Sequence, residues 1–150
     1  MIFRNFYRCA RCGHEWTQVW PSQCDGDCPQ CGLRHIAPHN NETTELPRHE
    51  KVALYNDTFR KTLSGGTVLL TAGVDELPDM VKAEALCTIA KYDAFSEDND
   101  PYGEHDFGSF ELCGRSFFWK IDLYEEPDVK DKNGETVVTR VLTIMRADEY

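Results

Sequence analysis

Cys9-Ala-Arg-Cys12-Gly13 and Cys28-Pro-Gln-Cys31-Gly32 are two C-x-x-C-G turns, with fifteen residues between Cys12 and Cys28. No other feature of the chain restricts its fold so strongly. Each turn sets two sulfurs on one side of a tight loop, and two such loops close a tetrahedral metal site. The glycine after each second cysteine tolerates positive φ and lets backbone N–H groups approach the thiolates. A metal ion also explains how so short a segment folds, because binding supplies energy that a tiny core lacks. Phe3, Phe6 and Tyr7 before the first turn, and Trp16, Val19 and Trp20 after it, read as short strands flanking the loops.

This pattern resembles a rubredoxin-type zinc ribbon over roughly residues 3–34. It implies one structural zinc held by Cys9, Cys12, Cys28 and Cys31, with no open position for a substrate. Cys24 is a fifth thiol close to the second turn, but the C-x-x-C geometry at both ends leaves it out. His14, His35 and His39 read as surface residues. Cys87 and Cys113 stand alone in apolar-patterned segments and read as small buried side chains.

The net charge is −10, and it is unevenly placed. Residues 1–40 hold four arginines (Arg4, Arg8, Arg11, Arg34) against three acids (Glu15, Asp25, Asp27), while residues 41–150 hold 12 basic and 23 acidic residues. A body that acidic is repelled by phosphate backbones. Any nucleic-acid contact therefore falls to the ribbon, with Arg4, Arg8 and Arg11 as candidates and Trp16 and Trp20 as stacking platforms. The competing reading makes those aromatics the ribbon's own core. No apolar run approaches the roughly 20 residues that span a bilayer, and the N-terminus lacks a signal-peptide apolar region. Clustered cysteine pairs fit a reducing compartment. The sequence is expected to be soluble and cytoplasmic, with no membrane partner.

Domain organisation follows from the periodicities. Residues 1–36 form the ribbon; residues 37–50, polar with two prolines, read as a linker; residues 51–150 read as an acidic α+β domain. Val52, Tyr55, Phe59 and Leu63 predict a helix over about 48–63, ended by Gly65-Gly66. Thr67–Gly73 predicts a strand, and Leu77–Phe95 a second helix with Pro78 in its first turn and Val81, Ala85, Leu86 and Ile89 on its buried side. Strands follow at 107–112, 116–124 and 137–146. Phe117, Trp119, Ile121 and Leu123 share one face of the second of these. A loop with Asn133-Gly134 as its turn joins the last two. The expected architecture is a small antiparallel sheet packed with two helices, with the strand near residue 67 extending the same sheet.

The stretches LSGGTVLLTAGV, DAFSEDNDPYGEHDFGSFEL, FFWKIDLY and TRVLTIMRADEY resemble an uncharacterised bacterial family, domain of unknown function 3768, over roughly residues 53–150. The resemblance carries no catalytic residues. It implies a mobile-element setting, plasmid or phage, and with it anti-defence biology. Within these stretches one loop stands out, because no Lys or Arg lies between Lys91 and Arg115. Carboxylates there interleave with Phe95, Tyr102, Phe107 and Phe110, which suits docking on a protein with a basic surface. Glu97, Asp98, Asp100, Tyr102 and Glu104 are the candidate contacts, and a nucleic-acid-handling protein such as a host defence complex is the candidate partner. One alternative is a nucleic-acid-binding regulator acting through the ribbon. A second is an enzyme using the Glu104-His105-Asp106 cluster. The sequence has no nucleotide-binding glycine loop, nucleophile elbow or H-E-x-x-H motif, and so leans to binding and not catalysis.

Overall fold

The structure, a computed structural model, describes residues 1–132 and 134–150. The chain folds as two compact units, Met1–Pro47 and Arg48–Tyr150. No helix among the described residues is long and apolar enough to cross a membrane.

The first unit is a three-stranded antiparallel sheet of β1 (Ile2–Arg8), β2 (Glu15–Trp20) and β3 (Asn40–Thr44), in the order β2-β1-β3. β1 lies at the centre and contributes Ile2, Asn5 and Tyr7 to the interior. The Tyr7 hydroxyl donates to the Cys24 carbonyl at 2.7 Å, and burial pushes the phenol up to about 12. β3 falls inside the stretch expected to be a linker. Its sequence, Asn-Asn-Glu-Thr-Thr, has no apolar side chain, yet it pairs with β1 from Ile2↔Thr44 to Phe6↔Asn40. Backbone hydrogen bonding builds this edge strand, and side-chain periodicity cannot reveal it. The first unit therefore extends past residue 36.

The second unit opens with α1 (Arg48–Thr62), then β4 (Gly66–Leu70), α2 (Ala72–Asp75) and α3 (Asp79–Ala90). Strands β5 (Phe107–Leu112), β6 (Arg115–Lys130) and β7 (Thr136–Arg146) follow, and a 3-10 turn at Ala147–Glu149 closes the chain. The sheet order is β4-β7-β6-β5. β5, β6 and β7 are antiparallel, but β4 runs parallel to β7, so the sheet is mixed. A parallel neighbour requires a long crossover, which α2, α3 and the other strands supply here. The expected alternation of β6 holds: Phe117, Trp119 and Ile121 are buried. With Leu142 and Ile144 of β7 they meet Phe59 of α1, Val74 of α2 and Ile89 of α3 in one core. The architecture is α+β, as the periodicities imply.

Three local differences have plain causes. The helix expected over Leu77–Phe95 is α3, shorter at both ends, and Pro78, with an extended ψ of 148°, is its N-cap and not part of its first turn; the short α2 before it replaces the end of the strand expected over Thr67–Gly73. Proline disfavours helical backbone at Leu77 and offers no N–H to the preceding turn. Cys87 and Cys113 are exposed, not buried. Cys87 lies two residues from each of the inward-facing Ala85 and Ile89, so the helix carries it to the outer side, and Cys113 sits in the β5–β6 turn at a φ of 53°. β6 and β7 run further than expected, narrowing the loop between them to residues 131–135, and Asn133 lies outside the described residues.

Two features of this unit yield predictions. A Cβ at Gly66 would stand 2.3 Å from the Arg140 carbonyl oxygen and 2.7 Å from the Phe59 ring. The carbonyl belongs to the β4–β7 ladder and cannot swing away. Gly66→Ala is expected to lower stability by about 2 kcal/mol in urea unfolding, the middle of the range for overpacking. At the C-terminus, the Glu149 carboxylate accepts from the Thr71 hydroxyl at 2.8 Å and from the Gly73 and Arg146 N–H groups at 2.9 and 3.0 Å. The Arg146, Gly73 and Thr71 bonds hold its pKa below the ordinary carboxylate value. A carboxylate with a depressed folded pKa adds stability above its unfolded pKa and loses it as pH falls through the folded one. Glu149→Gln should therefore lower the melting temperature at pH 7, and the difference from wild type should shrink as pH falls below about 4.3.

Candidate metal centre and acidic loop

The two C-x-x-C-G turns fold as near copies of each other. The Cys9 N–H donates to the His14 carbonyl at 2.9 Å and the Gly13 N–H to the Cys9 carbonyl at 2.9 Å. At the second turn the Cys28 N–H donates to Leu33 at 2.8 Å and the Gly32 N–H to Cys28 at 3.0 Å. Gly13 and Gly32 sit at φ of 76° and 77°, left-handed backbone that explains glycine at both positions. The four Sγ atoms of Cys9, Cys12, Cys28 and Cys31 all lie within 4.8 Å of one another. Cys9–Cys31 and Cys12–Cys28 are the close pairs, at 3.5 and 3.6 Å. A disulfide requires about 2.05 Å. Four sulfurs about 2.3 Å from one tetrahedral ion would stand about 3.8 Å apart, close to what is seen.

The surroundings suit thiolate ligands. The Cys12 N–H points at the Cys9 sulfur and the Cys31 N–H at the Cys28 sulfur, each at 3.5 Å. The N–H bonds from Cys12 and Arg11 outweigh burial and draw the Cys9 thiol down to about 6. Cys28 is also lowered: burial raises it, but the Cys31 and Gln30 N–H groups and the neighbouring thiols outweigh that. At Cys12 the His14 N–H acts downward, while burial and the three neighbouring sulfurs together push it up to about 12. Four thiols this close cannot all ionise by themselves, and a cation between them lets all four do so. The residues fit one metal ion. Cys24, His14, His35 and His39 stand outside this group.

The ribbon arginines are largely engaged with acids. Arg4 pairs with Glu42 at 3.2 Å, Arg8 with Glu15 at 3.7 Å and Arg34 with Asp27 at 3.8 Å, all on the surface. Arg4, Arg8 and Arg11 are exposed, as a phosphate contact would need. Counted over Met1–Pro47, four arginines face five acids once Glu42 and Glu45 join the unit, so the surplus of basic charge expected here vanishes. Trp16 is half-buried and sandwiched between Tyr7 and His14, with ring centroids at 5.1 and 6.0 Å, which makes it part of the ribbon's packing.

In the acidic loop the five candidate contacts separate. Glu97, Asp98 and Tyr102 are exposed, Tyr102 at 78%. Asp100 is buried, and its Oδ1 accepts from the Glu104 and His105 N–H groups at 3.0 and 3.1 Å. Its carboxylate organises the loop and faces inward, so it does not belong to a docking surface. Glu104 is half-buried and pairs with Arg48 at 3.4 Å. The Glu104-His105-Asp106 cluster does not converge: Glu104 goes to Arg48, His105 goes to α1, and Asp106 is half-buried with its carboxyl raised by burial. Among the described residues, no second group of metal-ligating side chains comes together.

Asp57 and Arg60, one turn apart on α1, are what the sequence reading missed. Arg60 is 2% exposed. It lies between the rings of Phe95 and Trp119, at 5.3 and 4.9 Å, and its Nη1 donates to the carbonyls of Ile89 and Tyr92 at the C-terminal end of α3. Asp57 is its counterion and also binds His105 Nδ1 at 2.9 Å. The His105 ring lies flat on Phe95, centroids 3.9 Å apart, at a φ of 53°. This network pins the acidic loop to α1 and α3. A charged residue on the buried stripe of an amphipathic helix, Arg60, with an acid one turn before it, is its sequence trace.

Residues 70–149 match the family model described as protein of unknown function (DUF3768), a span of more than half the chain. The chain belongs to the DUF3768 family. The DUF3768 match begins at residue 70, later than the resemblance near residue 53, and leaves out the ribbon and α1 with Asp57 and Arg60. The acidic loop and strands β5 to β7 lie inside the DUF3768 span. No curated protein and no solved structure matches the chain.

Proposed function

We propose that this chain is a small acidic binding protein with a structural zinc ribbon, and that it docks a protein partner with a basic surface through the tip of the acidic loop. The observation that carries this reading is the division of labour within the loop. Phe95, Asp100 and His105 fasten it to the body, while Glu97, Asp98 and Tyr102 project into solvent. A held protrusion loses little conformational entropy on binding, its charge steers a basic partner, and its tyrosine anchors the contact. The second unit holds 12 basic and 21 acidic residues, which adds long-range attraction to such a partner. A nucleic-acid-handling protein, such as a host defence complex met by a plasmid or phage, has the matching surface. A closed tetrahedral site of four thiolates suits zinc, and a closed site is structural. The cytoplasm, where thiols stay reduced, is the compartment that fits.

The test is a nuclease-treated pull-down with the tagged full chain, run beside Glu97→Lys/Asp98→Lys/Tyr102→Ala. A protein retained by wild type and released by moderate salt should drop at least about tenfold with the variant, whose melting temperature should stay near that of wild type. Equal retention by both proteins rejects the loop as the docking site. Retention that disappears with nuclease and with Arg4, Arg8 and Arg11 substitutions would move the function to the ribbon.

A further inference from the structure

Arg60 is buried and Arg140 half-buried in the second unit, and their surroundings differ. Arg60 has the carboxylate of Asp57 and two backbone carbonyls. Arg140, on β7, pairs with no carboxylate among the described residues. Its Nε donates to the Oδ1 of Asn56 at 2.9 Å, and its guanidinium lies 5.2 Å from the centre of the Tyr55 ring. Asn56 is fully buried, and its Nδ2 donates to the Glu104 carbonyl at 2.9 Å, so its neutral oxygen is held toward Arg140. With Nε committed, the two Nη groups of Arg140 have no hydrogen-bond partner among the described residues. Partial burial lowers the Arg140 pKa, as expected for a cation part-withdrawn from water.

Arg140 lines a cavity of about 610 Å³, within the usual range of small-ligand pockets. Val52, Leu123 and Val138 give it apolar walls. Its other charges cancel. Arg48 pairs with Glu125 at 3.9 Å, Lys51 pairs with Glu135 at 3.6 Å, and Lys130 is matched in number by Asp131. Arg140 is the surplus, a single positive charge in a unit whose overall balance is strongly negative.

We infer that this cavity binds a small carboxylic acid with an apolar or aromatic body, its carboxylate taken by the two Nη groups of Arg140. The guanidinium fork matches a carboxylate in two parallel hydrogen bonds. The Tyr55 ring and the apolar walls receive the body. One surplus charge suits a monoanion, whereas a phosphate dianion sets a second negative charge against Glu125 and Glu135. The inference uses only the backbone of the acidic loop at Glu104 and not its exposed tip of Glu97, Asp98 and Tyr102, so the two readings stand or fall separately.

Phenylacetate, phenylacetamide and phenyl phosphate titrated into the ¹⁵N-labelled full chain test it. Phenylacetate should shift the amides of Tyr55, Val138 and Arg140 saturably, phenylacetamide should leave them unmoved, and phenyl phosphate should bind more weakly. Arg140→Gln should weaken phenylacetate binding by about tenfold or more, the loss expected for hydrogen bonds to a charged group. Val138→Glu puts a competing carboxylate two residues along the same face of β7. It should weaken binding similarly with Arg140 in place, which keeps the test open if Arg140→Gln does not fold. The inference is overturned if phenylacetate shifts none of these amides, if the amide or the phosphate binds as tightly, or if the folded variants bind like wild type.

Discussion

Stripping metal from the intact chain with a strong chelator is expected to unfold Met1–Pro47 and leave Arg48–Tyr150 folded. The fully buried apolar residues of the first unit are Ile2, Tyr7, Cys9 and Cys28, and two of these four belong to the four-cysteine cluster. That is far too little apolar area to offset the ordering of the chain. A structural zinc contributes about 10–16 kcal/mol in domains of this kind, comparable with the whole stability of an ordinary domain. The second unit has its own core around Trp119, Phe117 and Leu142 and shares none of the clustered cysteines. In a ¹H–¹⁵N spectrum, chelation should collapse the amides of β1, β2 and β3 to random-coil positions and leave those of β5, β6 and β7 dispersed. Cys28→Ser should do the same without chelator. First-unit amides that keep their dispersion after complete metal removal would show that the sheet alone holds the ribbon.

Asp57→Ala carries the largest expected effect in the second unit. The substitution leaves Arg60, at 2% exposure, without its carboxylate, and removes the acceptor of His105 Nδ1. Breaking a buried ion pair on one side costs about 3–5 kcal/mol, because the surviving charge stays in a low-dielectric site. Asp57 is itself 26% exposed, so about 3 kcal/mol is the better figure here. In a unit of this size that lowers the melting temperature by more than about 10 °C. The acidic loop should loosen too, since Asp57 ties His105 to α1. Amide exchange over residues 96–106 should accelerate beyond the global change. Arg60→Met/Asp57→Leu, which removes both charges, should recover part of the loss. A melting temperature within about 2 °C of wild type for Asp57→Ala would mean that Arg60 is satisfied by carbonyls and rings alone.

What could be read from the sequence was what repeats or alternates. The paired C-x-x-C-G turns gave the four-sulfur cluster residue by residue, because their local geometry is fixed by the motif itself. Phe117, Trp119 and Ile121 gave the buried face of β6 because period two has one meaning on a half-covered strand. β3 escaped notice because its polar side chains carry no period and its role is to supply backbone pairing for β1. The parallel placement of β4 is a matter of topology, which a short apolar run does not encode. Asp57 and Arg60 were invisible for another reason: Arg60 occupies the buried stripe of α1 and Asp57 its edge, where polar residues read as solvent-facing until their partners are known. The same ignorance put Asp100 on the outside. A carboxylate that accepts two backbone N–H groups has the same one-letter code as one that waits in solvent.

Intact-mass measurement of the full chain, under native and then denaturing conditions, tests directly whether Cys9, Cys12, Cys28 and Cys31 hold a metal ion as thiolates. One zinc per chain is expected in the native spectrum, with a denatured mass in which every cysteine is reduced and with loss of the zinc adduct in Cys9→Ser and Cys28→Ser. A metal-free native chain with the first unit still folded would contradict it. So would a denatured mass short of the hydrogens that a Cys9–Cys31 or Cys12–Cys28 disulfide removes.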